Sequence, residues 1–105
     1  MTAKEFITGL PERVNPDALE GLETVFHFNI SGDDGGQYTV SLKDQQLKVE
    51  EGLLGEARCT VTTSDENFMG IIRGTLNPMM AVFSGKLKTS NPGELLKYSK
   101  IFGIM

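Results

Sequence analysis

Thr24-Val25-Phe26-His27-Phe28-Asn29-Ile30 alternates: Phe26, Phe28 and Ile30 fall on one side of an extended chain, and Val25, His27 and Asn29 on the other. That period of two predicts a half-buried β-strand, and it recurs at once downstream. In 37–42 the inward set is Tyr38, Val40 and Leu42, and in 46–50 it is Leu47 and Val49. Ser31-Gly32-Asp33-Asp34-Gly35-Gly36 and Lys43-Asp44-Gln45-Gln46 are rich in turn formers, so the three strands are expected to run as an antiparallel meander. A fourth strand is predicted over 58–62 with Cys59 and Val61 inward, and a short fifth over 86–89. His27, on the face away from Phe26 and Phe28, reads as a solvated strand residue.

Outside this region the spacing is helical. Three of the four prolines follow asparagine, at Asn15-Pro16, Asn77-Pro78 and Asn91-Pro92. Asparagine accepts from the free N–H groups of a first turn, and proline after it has no N–H to leave unpaired, so three helical starts are predicted. A fourth helix is expected to open at Thr63 or Ser64, where Thr63-Ser64-Asp65-Glu66 has capping-box spacing and sets carboxylates at the positive end of the helix dipole. A further helix is expected from Thr2 to about Gly9. The order is helix, meander, strand, two helices, strand, helix. This predicts an α+β domain: a mostly antiparallel five-stranded sheet with helices over one face and water on the other.

The chain has 105 residues, 10 basic and 14 acidic, for a net charge of −4. That length supports one domain, 1–105, with one core. The acidic balance leaves no electrostatic footprint for nucleic-acid phosphates or an anionic lipid surface, so no nucleic-acid partner is expected. Cys59 is the one cysteine, so an intrachain disulfide and a thiolate metal cage are both excluded, and a reducing compartment fits. Glu5 stands where a secretory signal would be apolar, and no stretch approaches ~20 apolar residues, so a cytoplasmic location is expected.

Catalytic devices are hard to assemble from these residues. His27 is the only histidine, and Cys59 reads as an inward strand residue, so neither Ser-His-Asp nor Cys-His chemistry is expected. Asp33-Asp34 in a Gly-rich turn reads as a solvated turn. Gly85-Lys86 lacks the Ser or Thr and the earlier glycine of a phosphate loop. No catalytic residue, metal or cofactor is expected. What stands out is apolar excess on the helices: Phe68, Ile71 and Ile72; Met79, Met80 and Phe83; Leu95, Tyr98 and Phe102. Such stripes are core by default. Five methionines and an apolar end at Ile104-Met105 add the option of a pocket that refits around an apolar ligand.

This order of motifs resembles the sterol carrier protein 2 family of small lipid-binding domains. The resemblance is carried by Gly35-Gly36-Gln37-Tyr38-Thr39-Val40, by Leu47-Lys48-Val49-Glu50-Glu51-Gly52, and by Cys59-Thr60-Val61-Thr62-Thr63-Ser64 running into Glu66-Asn67-Phe68. Most specific is Gly74-Thr75-Leu76-Asn77-Pro78-Met79-Met80-Ala81-Val82-Phe83-Ser84-Gly85-Lys86-Leu87-Lys88. The chain departs from the family's usual pattern at Asp44-Gln45, Ala57-Arg58 and Asn91-Pro92-Gly93, all in connections.

The resemblance implies an apolar cavity between the layers and low-selectivity, non-catalytic carriage of fatty acids, acyl-CoA, sterols or phospholipids. The cavity is expected to draw on Phe28, Val40 and Val61 from the sheet, on Phe68, Ile72, Met79, Met80, Phe83 and Phe102 from the helices, and on Met105. Its partner is a long acyl chain or a sterol, with transient membrane contact allowed for. A different reading is an interaction module that docks on an enzyme of lipid metabolism.

Overall fold

Strand β1 (Thr24–Ser31) is the middle of the sheet. It pairs antiparallel with β2 (Gly36–Lys43), Phe26 opposite Val40 and Phe28 opposite Tyr38, and parallel with β4 (Cys59–Ser64), Phe26 level with Cys59 and Phe28 with Val61. Laterally paired residues share a face, so this register gathers Phe26, Phe28, Tyr38, Val40, Cys59 and Val61 on one side, and all six are buried. β3 (Gln46–Glu51) completes the meander beyond β2, and β5 (Leu87–Thr89) closes the other edge antiparallel to β4. The order in this computed structural model, which describes residues 1–104, is β3-β2-β1-β4-β5. All pairings but β1–β4 are antiparallel. The meander turns at Asp44-Gln45, where φ is 53° and 60°. A positive φ at both central residues matches the twist of the strands they join, which explains how the turn forms here without glycine.

The helices start where the asparagines stand. Asn77 Oδ1 accepts from the N–H groups of Met79 at 2.9 Å and Met80 at 3.2 Å to open α4 (Pro78–Phe83). Asn91 Oδ1 accepts from Glu94 N at 3.2 Å to open α5 (Pro92–Phe102). Asn15 caps only a single 3-10 turn, Pro16–Leu19, which buries Leu19. Ser64, rather than Thr63, caps α3 (Asp65–Arg73): its Oγ accepts from Asn67 N at 3.0 Å. Thr63 is still in the strand, and its hydroxyl donates to Lys86 O at 2.7 Å, tying β4 to the approach of β5. At the amino terminus Thr2 and Glu5 make a reciprocal capping box for α1 (Ala3–Thr8), and a short α2 (Leu10–Arg13), which the spacing does not predict, follows with Leu10 buried.

The outer face of the sheet departs from expectation. The 52–58 connection crosses it rather than leaving it to water. Thr39 Oγ1 donates to Gly52 O at 2.7 Å and accepts from Leu54 N at 2.9 Å, while His27 Nε2 lies 2.9 Å from Leu54 O. Thr39 is 3% exposed and His27 9%. His27 is therefore a buried clasp for this loop and not a solvated residue. The physical reason is the topology: β3 lies at one edge and β4 on the far side of β1, so the chain must cross both β2 and β1 to enter β4.

Replacing Thr39 with valine keeps the shape and removes both hydroxyl bonds, leaving the Gly52 carbonyl and Leu54 N–H without this partner. The expected loss is about 1–3 kcal/mol in urea denaturation, with faster amide exchange at Leu54. Burial also raises the Cys59 thiol above its ordinary value, opposed by its contacts with Thr89 and Asn91. A raised thiol contributes stability that is complete below the ordinary thiol value and is lost as pH rises through the folded one. Stability should fall above about pH 9, Cys59→Ala should flatten that fall, and a thiol reagent should label the wild type only on unfolding.

Candidate functional site

Helices α3 and α5 lie against the inward face of the sheet and meet it through rings. Phe28 stands 6.1 Å from Phe68 of α3 and 6.0 Å from Phe102 of α5, edge to face in both cases. Phe26 stands 5.1 Å from Phe102 and 5.8 Å from Tyr98, again edge to face, and stacks on Phe28 at 5.8 Å. Phe6 of α1 reaches the cluster through Phe68 at 5.7 Å. Edge-to-face geometry sets the positive rim of one ring on the negative face of another, adding about 0.5–1.5 kcal/mol per pair to the burial itself. The interface between the layers is thus apolar and packed with aromatic edges and faces, and none of the grooves described below is lined by these rings.

A groove lies beside this interior at one end of the helical layer. The ends of α3, α4 and α5 converge on a groove of about 360 Å³, whose lining includes Ile71, Ile72, Leu76, Pro78 and Ile104 and no charged side chain. Ile71 and Ile104 belong to the buried core, and Ile72 and Leu76 pack against it, so the groove floor is continuous with the aromatic cluster. Gly103, at φ 77°, ends α5 in the left-handed conformation and turns the chain so that Ile104 N donates to Ser99 O at 2.8 Å. That turn lays Ile104 into the groove, 4% exposed. A larger groove, about 460 Å³, lies away from these helix ends and includes Glu23, Lys43, Glu56 and Arg58 in its lining.

Of the residues expected to line a cavity, Phe28, Phe68 and Phe102 meet directly, with Val40 and Val61 buried beside them on the sheet. Ile72 lines the groove, and Met79 is half-buried. Met80 and Phe83 are placed differently: they are 61% and 80% exposed. α4 has six residues and buries Ala81; at about 100° per residue Phe83 sits some 200° round from it, almost opposite. Of the expected Met79, Met80 and Phe83 stripe, Met80 and Phe83 face away from the core because the small Ala81, not the large residues, fills the close approach of α4 to the molecule. Met105 lies outside the described residues. The interior also takes in Phe26, which shares its face with Phe28 by strand parity, together with Tyr98, Ile71 and Ile104, none of which is in the expected lining.

Elsewhere the chemistry is structural. Cys59 Sγ lies 3.2 Å from Thr89 Oγ1 on the inward face, while His27 is clasped on the outer one. Strand register keeps the two on opposite sides of the sheet. Among the described residues no three His, Cys, Asp or Glu side chains are arranged to hold a metal ion. Tyr98 is raised above the ordinary phenol value, first by burial and then by Glu94.

Comparison with known proteins agrees with this geometry. The chain is 30% identical to hydroxysteroid dehydrogenase-like protein 2 of Xenopus laevis over 104 residues, 97% of this chain and 25% of that protein. It is 32% identical to sterol carrier protein 2 of Homo sapiens over 81 residues, 73% of this chain and 15% of that protein. It therefore spans a quarter or less of these curated relatives. Among solved structures, palmitated SCP2L2 from Aedes aegypti superposes with a TM-score of 0.73 at 29% identity, covering 97% of this chain and 95% of that one. The model of the SCP-2 sterol transfer family matches residues 4–102, and the chain belongs to that family.

Proposed function

We propose that this domain binds a long acyl chain or a sterol between the sheet and the helices and carries it without chemical change. The observation that carries this reading is the continuity of an uncharged groove, at Ile72, Leu76 and Ile104, with an aromatic interior at Phe28, Phe68 and Phe102. Membership of a sterol transfer family and the likeness to a palmitated relative support it. We further propose that carriage takes place in the reducing cytoplasm, in keeping with Cys59 as a free buried thiol.

The energetics suit a carrier. Burying ~400 Å² of lipid at about 25 cal/mol per Å² gives roughly 10 kcal/mol gross, from which ordering and association subtract several. The attraction has no direction, so chains of differing length and shape bind with similar strength. A lipid entering through the groove replaces ring–ring contacts with ring–methylene contacts, so apolar burial is exchanged more than it is lost. Release to an acceptor is then a matter of parting α5 from β1, with no bond to break.

Titration of delipidated protein with a fluorescent fatty acid and a fluorescent sterol checks the proposal. Binding of at least one below ~100 µM, about 5.5 kcal/mol, is expected, and failure of both overturns it. Ile72→Ala, at the half-buried groove, should weaken binding several-fold while costing less than the ~2–5 kcal/mol of a close-packed truncation such as Leu42→Ala, which should leave binding nearly unchanged.

A further inference from the structure

β3 is an edge strand, and its open side has a definite pattern. The antiparallel register with β2 sets Tyr38 opposite Glu51, and one position further on Gly52 N donates to Gln37 O at 2.8 Å. In such a ladder alternate residues turn their N–H and C=O groups to the partner strand. Gln46, Lys48 and Glu50 therefore face β2, whereas Leu47, Val49 and Glu51 hold theirs out from the sheet. Among the described residues no backbone or side-chain group hydrogen bonds to these outward N–H and C=O groups. The opposite edge is short, since β5 runs only over Leu87–Thr89. An unpaired row of this kind is a template for a further strand. On the outer face of β3, Lys48 Nζ lies 3.6 Å from Glu50 Oε1, with 71% and 41% of the two side chains exposed.

We propose that two copies of this chain pair through β3, antiparallel about a two-fold axis at Val49, into one continuous sheet. The occupant and the register both follow from the charges. Only pairings that set Leu47, Val49 and Glu51 of the two copies against one another use the outward groups. With Val49 opposite Val49 of the second copy, Leu47 meets Glu51, and every outward N–H and C=O is paired. Lys48 then stands opposite Glu50 of the second copy, and Glu50 opposite Lys48 of the second copy, at the non-hydrogen-bonded positions where side chains come closest. The neighbouring registers that still use the outward groups put the axis at Lys48 or at Glu50, so that lysine meets lysine or glutamate meets glutamate. The edge is thus self-complementary in a single register, as a two-fold contact requires. Val49, half-buried in one copy, is covered by its counterpart. One strand pair buries little area, so the association is weak and rises with concentration. It leaves the groove at the ends of α3, α4 and α5 untouched, and it does not rest on lipid binding.

Analytical ultracentrifugation of the chain over a concentration series tests the pairing. The wild type should pass from the 11.5 kDa monomer toward twice that mass as its concentration approaches about 1 mM. The amides of Leu47, Val49 and Glu51 should slow in hydrogen exchange as it does. Lys48→Glu and Glu50→Lys each set like charges opposite one another on both sides of the axis, and each should weaken self-association about tenfold. An equimolar mixture of these two variants sets lysine opposite glutamate again and should dimerise like the wild type. The Lys48→Glu, Glu50→Lys exchange within one chain should do the same. Palmitate titration should give one result for all of them, so the lipid-binding reading and this one fail separately. The proposal is overturned if the wild type keeps the monomer mass throughout, if either single variant associates as strongly as the wild type, or if the mixture stays monomeric where the wild type does not. Protection of the Leu47, Val49 and Glu51 amides only on adding a different protein would assign the edge to a foreign strand and overturn it as well.

Discussion

Two phenylalanines on one face of a central strand hold the two layers of this molecule together. β1 has β2 on one side and β4 on the other, so Phe26 and Phe28 sit where sheet and helices must meet. Phe26 takes Tyr98 and Phe102 of α5, and Phe28 takes Phe68 of α3 and Phe102. Remove that register by one residue and His27 and Asn29 would face the helices, with no apolar surface for α3 or α5 to cover. The remaining architecture follows from this constraint: the meander builds one side of the ring face, the β1–β4 parallel pair builds the other, and the crossover it requires covers the outer surface through Thr39 and His27.

The same arrangement bears on how a packed core would serve as the proposed binding site. Aromatic rings make broad contacts without fixed partners, so their neighbours can be exchanged for acyl methylenes at modest cost. The half-buried Ile72 and Leu76 and the turned-back Ile104 lie at the edge of that cluster, where α3, α4 and α5 end. Helix ends lack the continuous ladder of a sheet and open locally at lower cost than strands do. On the proposed function, the sheet would be the fixed wall and the helix ends the side from which exchange would proceed.

Most of the fold was legible because strand parity and asparagine caps are local signals. The inward sets of β1, β2 and β4, the starts of α4 and α5, and the end of α5 at Gly103 all follow from a few neighbouring residues. The misses need long-range information. The burial of His27 depends on where β3 and β4 sit in the sheet, which forces the 52–58 connection over it. The outward placement of Met80 and Phe83 depends on how closely α4 approaches the molecule, and spacing alone cannot tell an inward stripe from an outward one in a helix of six residues. For the candidate site, Phe28, Phe68 and Phe102 were readable as apolar stripes, but their meeting at one point is a property of register.

The central claim is that the aromatic space between β1 and the helices is where a lipid sits. The most direct measurement is isotope-edited NMR of the delipidated protein loaded with carbon-13-labelled palmitate, recording contacts between the chain's methylene protons and assigned side chains. The account predicts contacts to the Phe28, Phe68 and Phe102 rings and to Ile72 and Ile104 at the groove. Contacts confined to the Glu23, Lys43 and Arg58 groove, or to Met80 and Phe83 alone, would contradict it.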